Sequence, residues 1–73
     1  MPEIDPMSKA AECERAMGLA SEPFRRTLLE NLRALWIELA DLRPLLPEGD
    51  FAEQFENLSK IHALVLGPAS PVH

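Results

Sequence analysis

The residues of this chain whose side chains are best suited to chemistry are a histidine, a cysteine and scattered acids. His62 is predicted near the middle of the apolar side of a helix, among Phe55, Leu58 and Leu66. An imidazole placed there can act as a proton switch or as a ligand, because histidine ionises nearest to neutral pH. We favour the simpler interpretation of a packed ring whose nitrogen reaches a backbone group, a carboxylate across a dimer interface, or solvent at the edge of the apolar stripe. His62 is still our candidate pH-sensitive residue, because burial disfavours its charged form and stability should then fall toward acidic pH.

Cys13 is the second candidate. A thiol becomes a good nucleophile when a nearby positive charge or a helix start lowers its pKa. Glu12 and Glu14 flank Cys13, and negative neighbours raise a thiol pKa instead. We therefore predict that Cys13 is a small buried residue. As the one cysteine of the chain it forms no internal disulfide, and a lone thiol is typical of a reducing compartment.

Metal binding and catalysis find little support in the residue pattern. A zinc site needs several ligands that converge at set spacing, and this chain has one cysteine and two histidines without a Cys-x-x-Cys, His-x-x-x-His or Glu-x-x-His motif. The acids are expected to be helix caps and solvated side chains. A chain this short also has difficulty enclosing a pocket of enzyme size. We predict no metal, no cofactor and no catalytic activity.

The strongest helical pattern of the chain is a row of leucines near its middle. They recur at spacings of four, three, four and three residues: Leu28, Leu32, Leu35, Leu39, Leu42. This is the a/d pattern of a helix whose apolar stripe packs against a partner helix. It predicts a helix over 22–42, capped by Ser21 and ended before Pro44.

Two further helices are predicted on either side of this one. Ser8 is the expected N-cap of a short helix over 9–20, whose apolar side is thin because it consists of small side chains. Asp50 and Glu53 resemble a capping box at the start of a helix over 51–66.

The ends of the chain lack a periodic pattern. Residues 1–7 are expected to form an irregular lead-in, and Gly67 should stop the last helix. A flexible tail is then expected over 67–73, which leaves 8–66 as the single helical domain.

These elements predict an all-α fold, in which a short N-terminal helix is followed by an antiparallel helical hairpin. The small side chains of the first helix look insufficient to cover the wide apolar side of the second. We therefore favour two hairpins packed as a dimeric helical bundle over a monomeric three-helix bundle. Its interface candidates are Leu29, Trp36, Ile37, Ala40 and Leu64.

The charge balance limits the partners. The formal net charge of −5 disfavours nucleic acid and anionic membranes, and no signal peptide or membrane span is recognisable. We expect a cytoplasmic homodimer that acts as a small adaptor or regulator by binding another, unidentified protein. The alternative is a nucleic-acid-binding regulator of helical-hairpin type, whose basic face would form only on assembly from Arg15, Arg26 and Arg33.

Overall fold

The computed structural model describes residues 5–67, and this part of the chain is all-helical. Three α-helices follow one another, α1 (Pro6–Leu19), α2 (Pro23–Leu42) and α3 (Glu48–Leu66), with a short 3-10 turn (Arg43–Leu45) between the last two. No strand occurs among the described residues, which confirms the predicted all-α class. The first four residues of the predicted lead-in and positions 68–73 of the predicted tail lie outside the described residues.

Helix α1 begins earlier than the sequence suggested. Asp5 is its N-cap, and the carboxylate accepts a hydrogen bond from the backbone N–H of Met7 at 3.1 Å. Pro6 follows as the first helical residue, a position where proline is tolerated because its missing N–H would have had no partner. Ser8 therefore lies inside the first turn of α1, and its prediction as the cap is wrong.

Helix α2 agrees with its predicted range to within one residue. Pro23 is its first residue and Glu22 its N-cap, but no side chain caps the helix. Ser21 is thus not the cap that was expected. The helix ends at Leu42, where the chain tightens into the 3-10 turn.

Helix α3 starts three residues before its predicted start. Pro47 is the N-cap, and its carbonyl accepts a hydrogen bond from the N–H of Phe51 at 2.9 Å. Asp50 therefore lies in the first turn, where a negative charge suits the helix dipole, rather than at the cap. Gly67 ends the helix as predicted, with φ of 87° and its N–H donating to the carbonyl of Ala63 at 2.8 Å. A positive φ of this kind favours glycine because it has no Cβ.

The core joins all three helices. Its buried apolar cluster comprises Ala10, Cys13, Leu32, Trp36, Leu39 and Phe51. Helix α2 is central to this packing and lies closest to α1. The small side chains of α1 let that helix approach closely, because a close approach needs little side-chain volume between the backbones.

This packing corrects one argument from the sequence. The small face of α1 looked unable to cover the bulk of α2, yet Leu29 and Trp36 are both 0% exposed within a single chain. Trp36 belongs to the same buried cluster as Ala10 and Cys13 of α1, so small side chains on α1 are compatible with its full burial.

Among the described residues, no helix combines the length and apolar character needed to cross a membrane.

Candidate functional site

A buried polar cluster lies where the three helices meet, and its centre is the ring of His62. The indole N–H of Trp36 donates to Nδ1 of His62 at 3.1 Å. An indole N–H can only donate, so Nδ1 must be the unprotonated, accepting nitrogen of the ring. The proton of the neutral imidazole is therefore assigned to Nε2.

The other ring nitrogen is engaged by helix α1. Nε2 of His62 lies 2.8 Å from Oε1 of Glu12 and, in the tautomer assigned above, donates to it. The side chain of His62 is only 8% exposed, whereas that of Glu12 is 38% exposed. Glu12, His62 and Trp36 thus form a relay of hydrogen bonds that joins α1, α3 and α2. Among the described residues, no buried side-chain nitrogen or oxygen lacks a hydrogen-bond partner.

Cys13 completes this cluster. Its Sγ lies 3.8 Å from Nδ1 of His62, and the residue is 0% exposed. Burial raises the pKa of the Cys13 thiol, and the charge of Glu12 raises it further against the opposing charges of Arg33 and Lys9. The predicted direction of this pKa shift is confirmed, although burial is the larger cause and Glu14 is not among the causes.

Cys13, His62 and Glu12 lie in the sequence of contacts expected of a catalytic thiol, its histidine base and a carboxylate that orients the base. Two features of the geometry oppose that chemistry. The lone pair of His62 Nδ1, which would have to take the thiol proton, already accepts the hydrogen bond from Trp36. The raised pKa of Cys13 keeps its sulfur protonated, whereas nucleophilic attack needs the thiolate. The hydrogen bonds of the cluster instead hold the three helices in position relative to one another.

Aromatic packing holds the relay in place. The ring of Trp36 meets that of Phe55 edge to face, with centroids 5.0 Å apart, and meets His62 at 5.7 Å. Nearer the connection, the guanidinium of Arg43 lies 4.6 Å from the ring centroid of Phe51. The two contacts of Trp36 join α2 to α3, and the contact of Arg43 joins the 3-10 turn to α3.

The sequence found part of this cluster. It predicted a packed ring at His62 and a buried Cys13, and the structure shows both. A carboxylate partner of the ring was expected across a dimer interface, whereas Glu12 belongs to the same chain. The sequence missed Glu12 as a ligand of the ring and treated it as a solvated acid. No local signal identifies that role, because Glu12 and His62 are separated by 50 positions.

The predicted interface residues lie in different surroundings. Leu29 and Trp36 are fully buried within one chain, so neither is exposed to a second chain in this structure. Ile37 and Ala40 are half-buried. Leu64 is 84% exposed.

A second feature lies on the surface, along one side of α2 and the adjoining side of α3. We call it the leucine face. Its centre is a set of residues that line one groove, Leu35, Glu38 and Leu42 of α2 with Gln54 and Leu58 of α3. Helical periodicity adds residues on the same sides of these helices: Phe24, Leu28 and Asn31 on α2 and Ile61 on α3. Leu28, Leu35 and Leu42 are 38%, 43% and 42% exposed. A groove of about 330 Å³ runs along part of this face between the two helices, and Leu35, Leu42 and Leu58 contribute to its walls.

The row of leucines from Leu28 to Leu42, called the leucine seam below, includes the residues of this face. Residues seven apart lie on the same side of a helix, and Leu28, Leu35 and Leu42 form such a set, as do the buried Leu32 and Leu39. The seam is thus divided lengthwise into a buried row and a half-exposed row. Periodicity alone could not separate the two.

Two of the three arginines considered for nucleic-acid binding, Arg26 and Arg33, contact the protein or are partly buried, and the third is exposed. The guanidinium of Arg26 donates to the carbonyl of Ala20 at 3.4 Å. Arg33 is half-buried and Arg15 is exposed. Within the described residues, no group of three or more His, Cys, Asp or Glu side chains is placed to hold a metal ion.

Comparison with protein-family models, with curated proteins and with solved structures gives no significant match for this chain.

Proposed function

We propose that this protein is a small, non-catalytic helical protein–protein interaction module that self-associates through the leucine face. The observation that carries the proposal is the row of half-exposed leucines on α2, continued by Phe24, which is 69% exposed, and by Ile61, which is 45% exposed. Contiguous exposed apolar side chains bounded by polar residues are typical of protein interaction sites.

Self-association would also add to the stability of a chain whose single core is small. Domains below about 70–80 residues seldom gain more than about 3–5 kcal/mol from one core without a further support. Each Å² of apolar surface removed from water contributes about 25 cal/mol. Covering Leu28, Leu35 and Leu42 with a second copy would extend the core of a chain of 73 residues.

The leucine face is the side on which the charge of the chain least opposes a second copy. Each chain carries a formal net charge of −5, so two copies repel each other through most approaches. Of the residues that make up the leucine face, Glu38 alone is charged. Depletion of charged residues is the compositional signal of an interface core. In a twofold dimer the same patch is used by both chains, so this face meets an equally apolar one.

The proposed assembly is a dimeric bundle. The α2 and α3 helices of each copy, arranged as an antiparallel hairpin, would form its centre, and α1 would pack on the outside against its own α2. This retains the hairpin dimer expected from the sequence but moves its interface from Leu29 and Trp36 to the leucine face.

The buried cluster supports a non-catalytic role. The Nδ1 lone pair of His62 is engaged by Trp36, and the pKa of Cys13 is raised. The free thiol at Cys13 also supports the proposed cytoplasmic location, since reducing compartments keep thiols unpaired. The nucleic-acid alternative has less support, because Arg26 is bonded to a backbone carbonyl and Arg33 is half-buried.

The test is the molar mass in solution, measured by light scattering after size exclusion at several loading concentrations. We expect a mass near twice 8.2 kDa for the wild-type chain and a monomer for Leu35→Glu. The matched control is Leu19→Glu, at an 87% exposed position at the end of α1, and it should remain dimeric. A monomeric wild type at every concentration, or a dimeric Leu35→Glu variant, would overturn the proposal.

A further inference from the structure

We infer that two copies of this chain pair along α2 in antiparallel orientation, with the twofold axis beside Leu35. This arrangement rests on the proposed self-association through the leucine face and specifies how the two faces meet. It is drawn from the positions of the leucines, the polar residues and the groove along α2.

The leucines define a symmetric register. Leu28 lies seven residues before Leu35, and Leu42 lies seven residues after it. Seven residues are two helical turns, or about 10.5 Å along the axis. An antiparallel pairing centred on Leu35 therefore places Leu35 against its own copy and Leu28 against Leu42 of the second copy. Every half-exposed leucine of α2 then meets another leucine.

The polar residues of the face agree with the same register. Asn31 precedes Leu35 by four residues and Glu38 follows it by three, and both lie on the same flank of the leucine row. Antiparallel pairing brings Asn31 of each copy close to Glu38 of the other, where an amide N–H can donate to the carboxylate. Parallel pairing would instead place the two Glu38 carboxylates at the same level. The one charge of the face thus gains a partner only in the antiparallel orientation.

The ends of the face complement each other in shape. Phe24, at the start of α2, is 69% exposed. The groove lies toward the opposite end, where Leu42, Leu46 and Leu58 contribute to its walls. Phe24 lies at the first turn of α2, and Leu46 follows the 3-10 turn at the opposite end of that helix. Antiparallel pairing therefore directs each exposed phenyl ring toward the groove of the second copy.

Disulfide trapping in the full chain tests this register. A disulfide needs Cα atoms within about 7 Å of each other. Leu35→Cys should form a disulfide-linked dimer of doubled mass on a non-reducing gel. Leu28→Cys alone should not, because two copies of that position would lie about 21 Å apart along the axis. A mixture of Leu28→Cys and Leu42→Cys should form the linked heterodimer. Wild type is the control, since its Cys13 is fully buried.

The outcomes separate the register from the self-association itself. Self-linking of all three single variants would show a parallel pair and overturn this inference, while leaving self-association intact. A dimeric mass without linking at Leu35→Cys would place the interface elsewhere and overturn it as well. A monomeric wild type in light scattering would instead remove the proposed function on which the inference rests. Circular dichroism of each variant confirms that the helices are retained.

Discussion

The indole N–H of Trp36 and Nδ1 of His62 lie 3.1 Å apart, and this hydrogen bond ties the middle of α2 to α3 inside the core. Because the indole can only donate, the bond fixes the imidazole in one tautomer and directs its remaining N–H to Glu12 at 2.8 Å. One ring thereby links all three helices. Removal of the imidazole should therefore lower the free energy of unfolding of the whole domain.

His62→Phe is expected to destabilise the protein by about 1–3 kcal/mol, the typical effect of leaving a buried donor without a partner. Phenylalanine keeps an aromatic ring in place but offers nothing to the indole N–H of Trp36. The measurement is urea denaturation followed by circular dichroism. A double-mutant cycle with Trp36→Phe isolates the bond, since a contacting pair should show non-additive losses. Additive losses would mean that this hydrogen bond does not contribute to stability.

Cys13 should make stability fall at alkaline pH. Burial raises the pKa of its thiol in the folded protein above the value in the unfolded chain. The contribution is therefore fully present below the unfolded pKa, about 8.5, and is lost as pH rises through the folded pKa. Urea denaturation of wild type and of Cys13→Ala between pH 7 and 10 measures it. The variant should lose less stability over that range, and an identical slope in both proteins would contradict the prediction.

Asp5→Ala should destabilise α1, because it removes the acceptor for the N–H of Met7. Loss of an N-cap side chain typically costs about 1 kcal/mol, which in a domain of this size lowers the melting temperature by about 4–8 °C. Ser8→Ala is the matched control. Ser8 lies inside the helix, where alanine is the better helix former, so its melting temperature should stay level or rise. A larger loss for Ser8→Ala would restore Ser8 as the cap.

Local interactions explain why much of the fold was predictable. The all-α class and the extent of α2 follow from leucine spacing and from prolines, whose restrictions act on adjacent residues. The stop at Gly67 follows from its freedom at positive φ. The N-caps were less predictable, because Asp5 and Ser8 both have suitable side chains and only the path of the backbone selects between them.

The sequence by itself determined three helices, a buried Cys13 with a raised pKa and a packed His62. Only the tertiary structure decided which residues meet. Glu12 and Trp36 reach opposite nitrogens of one imidazole although they lie on different helices. The seam divides into buried Leu32 and Leu39 and half-exposed leucines according to where α1 and α3 pack. Periodicity specifies a side of a helix, whereas the distance and angle at which a neighbouring helix packs depend on side chains far apart in sequence.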